Sequence, residues 1–333
     1  MKSRLILIFL FFILISCYRD EFADFYSARI NFSVSERIFS EKVISCIDFD
    51  LDGNAWIGSG SDLIRYKNGK IKTYKAGSEI MDISVGDAGK IWLGTKEKGL
   101  ACFENEKFIY YTMENSGLPR NLIIDVEAAP DGSLWFSCSA HQIGGLMHFD
   151  GQQFELYTPE NSISNRNLIL GIQVDNNSNV FCFSGGTVTE AKVFKIDNKN
   201  NWYKLGGDVS FYWIASMDIT SGSEVVVATD HSLSSCRGCY EDNIFIYRDG
   251  NWEIIETEFD SDALNRMFVD KRDYIWAQGV TKEGNSGYFV YDGKKWQHSG
   301  NKDLFDAFVY SAKVDPDNNI WFCTNKGIFI LNQ

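Results

Sequence analysis

Seven times along this chain a strand-like run enters an acidic, Gly- or Asn-rich turn and leaves it on an aromatic or β-branched residue. The clearest copies are Asp52-Gly53-Asn54-Ala55-Trp56, Asp87-Ala88-Gly89-Lys90-Ile91-Trp92, Asp131-Gly132-Ser133-Leu134-Trp135, Asp273-Tyr274-Ile275-Trp276 and Asp317-Asn318-Asn319-Ile320-Trp321. Two degenerate copies put Phe181 and Val226 at the Trp position. The anchors at 56, 92, 135, 181, 226, 276 and 321 are separated by 36, 43, 46, 45, 50 and 45 residues. Units of this length, each with several short strands, bury their apolar faces only against neighbouring copies, and this is the mark of radial β-repeats. The sequence therefore predicts an all-β chain: a seven-bladed β-propeller of four-stranded antiparallel blades.

The first unit shows how a blade is written. Val43–Asp50 is a mostly apolar run suited to an inner strand, residues 51–54 turn, and Ala55–Gly58 carries Trp56. Leu63–Tyr66 and Ile71–Tyr74 flank Asn68-Gly69, a hairpin signal that recurs as Asp150-Gly151, Asp249-Gly250 and Asp292-Gly293. Asn and Asp tolerate the left-handed conformation and Gly takes it freely, so these pairs fit two-residue turns. The chain stops after the third strand of the seventh unit, Ile328–Leu331. Upstream, Ala28–Val34 alternates Ile30, Phe32 and Val34, and is expected to supply the missing outer strand and close the ring.

The N-terminus reads as a targeting segment. Lys2 and Arg4 precede eleven apolar residues, Leu5–Ile15, too few for a bilayer span of ~20 residues. Leu14-Ile15-Ser16-Cys17 resembles a bacterial lipobox, which implies diacylation of Cys17, and Arg19-Asp20-Glu21 resembles the surface-export signal of Bacteroidetes lipoproteins. The expected layout is a signal peptide over 1–16, a tether over 17–26 and a propeller over 27–333. An outer-membrane lipoprotein follows, facing the periplasm or the cell surface, with a monomeric domain. Net charge is −13, and with no Lys or Arg cluster evident the sequence argues against nucleic acid or an anionic membrane surface as partner; the membrane is reached through the lipid alone.

Of eight cysteines, Cys46, Cys102, Cys138, Cys182 and Cys323 fall inside expected strands and read as small buried hydrophobes. Cys236-Arg237-Gly238-Cys239 lies in an expected loop, and in an exported protein it reads as a local disulfide, with free thiols or a metal or redox pair as alternatives. Asp48-Phe49-Asp50-Leu51-Asp52-Gly53 has the opening of a calcium loop, but Ser59 stands where the closing Glu belongs, so it reads as a turn. No metal or other cofactor is implied.

The repeats resemble the two-component regulator propeller repeat, on Gly89-Lys90-Ile91-Trp92-Leu93-Gly94-Thr95 followed by Gly99-Leu100 and on the inter-blade stretch Ser116-Gly117-Leu118-Pro119-Arg120-Asn121. The likeness covers nearly all of residues 43–333. The pattern departs at Phe181 and Val226, and at Ser137, Ala228 and Cys323. The resemblance implies the fold, and a relation to sensor ectodomains of hybrid histidine kinases.

Candidate contacts sit on loops between the second and third strands: Ser139–Gly145, Gly185–Ala191, Asp230–Asn243 and Gly279–Gly287. They carry His141, Gln142, Glu190, His231, Arg237, Tyr240 and Glu283, and Phe211-Tyr212-Trp213 offers an aromatic platform. The competing reading is that these aromatics pack between blades. No catalytic motif is present. The expected function is non-catalytic recognition of a glycan, a peptide or an envelope protein. The alternatives are a lyase or hydrolase using His141 or His231, as a resemblance to streptogramin lyase implies, and a structural subunit of an envelope complex.

Overall fold

The computed structural model describes residues 30, 32–140, 143–185, 191–207, 209, 211, 213–229, 243–257, 259, 267–280, 286–298 and 307–333. Residues Phe32–Gln333 form one compact unit. Within it are seven four-stranded antiparallel sheets, the blades I to VII of a β-propeller. Blade I orders Cys46–Phe49, Ala55–Ser59, Asp62–Lys67 and Lys70–Lys75 from the axis outward. The innermost strands of blades II to VII are Ile80–Val85, Asp125–Ala128, Ile169–Val174, Ile214–Ile219, Met267–Val269 and Val309–Val314.

All seven anchors open the second strand of their blade and are buried, including Phe181 and Val226 in the degenerate copies. The turn that precedes them is stitched by one carboxylate. Asp50 accepts from Asn54 N at 2.8 Å and from Trp56 Nε1 at 2.8 Å. Asp270 and Asp315 hold Trp276 and Trp321 in the same way, at 3.1 and 2.9 Å. The indole N–H is thus paired inside the sheet stack, where an unmade hydrogen bond would cost about 1–3 kcal/mol. Asp50 is thereby taken up by the turn, while Asp48 points elsewhere (below). The cores lie between blades rather than within them: Trp56 and Leu63 of blade I pack with Ile83, Leu93 and Phe103 of blade II, and each next pair repeats the arrangement. The five strand cysteines are free and buried in these layers.

The family-like Gly-Thr pattern has a local cause. Thr95 Oγ1 donates to Gly99 O at 2.7 Å and accepts from Lys98 N at 3.0 Å, clamping the turn into strand three. Gly99 has φ +71°, and a Cβ there would sit 2.1 Å from Tyr111 O. Thr324 makes the same clamp on Gly327 in blade VII. Where the expectation was a two-residue turn, Asn68-Gly69 and Asp249-Gly250 comply, with positive φ at both residues. Asp150-Gly151 and Asp292-Gly293 instead open four-residue turns, in which the Asp carboxylate accepts from the two N–H groups that follow the Gly. Asp serves there as a cap rather than as a left-handed residue.

The ring is closed by an N-terminal strand, as expected, but the strand is Val34–Ile38 rather than Ala28–Val34. It pairs antiparallel with Gly327–Leu331, with Arg37 opposite Phe329 and a bulge at Ser35. Alternation of Ile30, Phe32 and Val34 suggested the earlier segment. The true strand, Val-Ser-Glu-Arg-Ile, is polar because it lies on the outside of its blade. Its side chains add to the seam: Ser35 Oγ donates to Ile330 O at 2.9 Å, and Arg37 to Lys326 O at 3.0 Å. We expect a chain beginning at Phe39 to lose about 3 kcal/mol or more, roughly 5 °C in Tm, and to self-associate through the exposed Gly327–Leu331 edge. Size-exclusion chromatography with a thermal melt checks this; an unchanged monomer with an unchanged Tm would show that the seam is dispensable.

Candidate functional site

Strand register places the axis-facing side chains in two stacked tiers. The residues paired with the anchors form one: Asp48, Ser84, Glu127, Gln173, Asp218, Phe268 and Lys313. Two positions earlier lie Cys46, Asp82, Asp125, Gly171, Ser216 and Ser311; the blade VI position of this tier is outside the described residues. The tiers surround a cavity of about 780 Å³ along the axis.

The polar side chains answer a structural need first. An innermost strand has a partner on its outer side only, so its remaining backbone N–H groups point toward the axis. The blade before supplies acceptors. Asp48 takes Val85 N at 2.7 Å, Asp82 takes Val126 N at 2.9 Å, Asp125 takes Ile172 N at 2.9 Å and Asp218 takes Val269 N at 2.8 Å. Ser84 and Ser216 do the same for Ala128 and Met267. Glu127 is different: it has no hydrogen-bond partner among the described residues.

Five carboxylates share this space with Lys313, whose Nζ is 3.8 Å from Asp48. Burial pushes Glu127 up to about 8, with Lys313 opposing. Burial also raises Asp218. Asp82 and Asp125 titrate as a coupled pair, both raised by burial, with Asp125 raised further by the charge of Asp82. Lys313 moves the other way: Asp48 first, then Glu127, hold its ammonium charged well above its ordinary value. The channel is therefore short of positive charge, and a cation entering it relieves repulsion already present.

Most of the loop residues singled out from the sequence, His141, Gln142, Glu190, Tyr212, His231, Arg237, Tyr240 and Glu283, lie outside the described residues, as do Cys17, Cys236 and Cys239. Phe211 is described and buried, edge-on to Phe245 and Trp252 at 5.1 and 5.0 Å, which is inter-blade packing rather than a platform. Trp213 is half-buried. Strands of blade III extend through Leu134–Ala140 and Ile143–Phe149, so Ser139–Gly145 is mostly a lengthened hairpin. His148 and His298 stack on Trp135 and Phe289 in strands three and four, and burial lowers both.

Two features escaped the sequence reading. The channel acids sit within strands read as apolar on both faces, and only the register shows that every second residue meets the axis. Basic residues do cluster: Arg65, Lys67, Lys70, Lys72 and Lys75 fall within eleven positions. The global charge of −13 concealed them.

No protein-family model matches the chain, and no curated protein sequence does. Solved structures share the fold. Virginiamycin B lyase from Staphylococcus aureus aligns at 12% identity over 90% of this chain and 97% of that one, with TM-score 0.67. The extracellular domain of a putative hybrid two component system from B. thetaiotaomicron aligns at 16% identity, over 88% of this chain, with TM-score 0.65. This chain spans 39% of that one's length. YCF48 bound to D1 peptide aligns at 12% identity over 89% and 94%, with TM-score 0.61. At such identities the fold is what is shared. No helix among the described residues is long and apolar enough to cross a membrane.

The sign of the pH response follows from the channel. A carboxyl raised by folding contributes stability that is present at low pH and lost as pH rises through its folded value. For Glu127 the loss runs from the ordinary carboxylate range up to about 8. Glu127→Gln removes that charge. We expect its Tm above that value to exceed the parent's by roughly 1–2 °C, ~1 kcal/mol for a domain of this size, and its Tm to fall less with rising pH. Comparison with the parent cancels the opposing effect of His148 and His298. Parallel Tm–pH curves for variant and parent would place the source elsewhere.

Proposed function

We propose that this chain is an exported protein, lipid-anchored at Cys17, whose propeller is a non-catalytic recognition module for a peptide or an envelope protein. The acidic channel receives a cationic side chain of that partner. The observation that carries this reading is Glu127, which has no hydrogen-bond partner among the described residues and is grouped with Asp82, Asp125 and Asp218 in a cavity of about 780 Å³, large enough for a Lys or Arg side chain. A neutral glycan gains nothing from raised carboxyls, whereas an ammonium or guanidinium ionises them and pairs with them. Structures similar in fold include an extracellular domain of a putative hybrid two component system and a propeller bound to a peptide, and both agree with a binding role. Cys17 and its preceding apolar run support the anchor.

The test is calorimetry on the 18–333 chain with short peptides that differ only in carrying Lys, Arg, norleucine or Glu. Lys and Arg peptides are expected to bind at least about tenfold tighter than norleucine, a margin of ~1.4 kcal/mol. Glu127→Gln combined with Asp218→Asn should abolish the difference. Equal binding of all four peptides, or a neutral oligosaccharide that binds regardless of Glu127, sinks the cationic-peptide reading. Turnover of a bound ligand that depends on His141 or His231 would replace recognition with lyase or hydrolase chemistry.

A further inference from the structure

Strands three and four of blade I present a face crowded with cations. Their register puts Arg65 opposite Lys72 and Lys67 opposite Lys70. Like charges directly opposed on one face of a sheet repel, so two such pairs side by side need a reason. Counter-charge is sparse. Lys72 pairs with Glu106 of blade II, and Lys67 Nζ donates to the Asp52 carbonyl. Arg65 lies over the Trp56 ring at 5.9 Å, and neither Arg65 nor Lys70 forms an ion pair among the described residues. The side chains surround an open cleft of about 340 Å³, with Asn54 and Asn68 at its rim.

Beside the cleft is an apolar point. Leu51, at the tip of the turn between strands one and two, is fully exposed, at 106%. It is held next to the cations because Lys67 grips the adjacent residue, Asp52. A lone exposed Leu is ordinary. A fully exposed Leu tied to a basic cleft has the composition of an interfacial contact, apolar tip plus cations.

Chain direction adds a third observation. The closing strand begins at Val34, opposite Leu331, at the end of strand three of blade VII. The equivalent end of strand three in blade I is Lys67. The chain thus enters the propeller on the face that carries the cleft, and blade VII shares a core with blade I. Elsewhere on this face the turns between strands three and four mix signs, with Arg248 beside Asp249 and Lys294 and Lys295 after Asp292, so blade I is set apart by its opposed cation pairs.

We propose that the cleft formed by Arg65, Lys67, Lys70 and Lys72 binds the phosphate of an anionic phospholipid headgroup while Leu51 enters the bilayer interface. A second membrane contact, in addition to the expected lipid anchor, results; its setting rests on the Cys17 reading. Two acyl chains at Cys17 would anchor the chain by themselves, so the basic patch would set how the propeller lies on the bilayer. The guanidinium of Arg65 offers two parallel N–H donors to phosphate oxygens, and the ammonium groups supply point charge.

The experiment is co-sedimentation of the 18–333 chain, which keeps the closed ring, with vesicles of phosphatidylcholine alone or mixed with phosphatidylglycerol. Binding is expected only where phosphatidylglycerol is present, and it should collapse at high salt. Arg65→Gln, Lys67→Gln and Lys70→Gln should each weaken it about fivefold. Leu51→Ser should weaken it several-fold with an unchanged Tm. Equal binding to both vesicles, or a triple Gln variant that binds like the parent, overturns the proposal. Saturable binding of inorganic phosphate with no vesicle binding overturns the lipid assignment in favour of a soluble anion. The mass of the cell-extracted N-terminus reads Cys17 separately. Phosphatidylglycerol binding without acylation keeps the cleft and removes the anchor, and acylation without vesicle binding does the reverse.

Discussion

The constraint on which this propeller depends is the orphaned edge of its innermost strands. Each blade pairs strands outward from the axis, so seven inner edges converge with backbone N–H groups and no strand to accept them. A buried N–H left unmade costs about 1–3 kcal/mol, and a ring multiplies that cost by its symmetry. The chain answers with side chains of the preceding blade: Asp48, Asp82, Ser84, Asp125, Ser216 and Asp218 each take an N–H from the next. These bonds run in one rotational sense and lace blades I to IV, and blade V to blade VI, into a partial hoop, while Ser311 Oγ donates from blade VII to Ser45 O of blade I at 3.2 Å.

The same device creates the electrostatic character of the channel. Carboxylates are strong acceptors for backbone N–H groups, but burying them together about one axis raises their proton affinity. Lys313 offsets part of this from blade VII, through Asp48 and Glu127. Glu127 is the member that the hoop does not employ. A structural solution therefore leaves a residue of unmet charge, and binding can act on that residue without dismantling the hoop.

How far the sequence speaks depends on the range of the interaction. The anchors and turns were legible because their chemistry is local: Asp50, Asn54 and Trp56 settle their hydrogen bonds within six residues. Strand cysteines were legible because alternation fixes their side of a strand. The closing strand was missed because it is chosen by its partner, Gly327–Leu331, almost three hundred residues away. Its polar side chains carry no periodic signal. The channel acids were missed for a related reason. An Asp in a strand looks like a solvent-facing residue until the ring turns that face inward. Phe211 shows the opposite failure: an aromatic next to a long loop looked exposed, and its partners Phe245 and Trp252 lie on another blade.

The seam that closes the ring also has a mechanical character. Val34–Ile38 lies alongside Gly327–Leu331, and just before it Phe32 packs edge-on against Trp276 of blade VI at 5.8 Å. Tension that has freed Phe32 runs along the strand axis. The register bonds and the clasps from Ser35 and Arg37 are then loaded together, in shear, rather than peeled apart one at a time. Every other blade is stitched by hairpins that tension cannot separate, so this strand is the fuse of the ring. The propeller would keep its acidic channel intact under a steady pull, and would open at that strand when the pull exceeds what it can share.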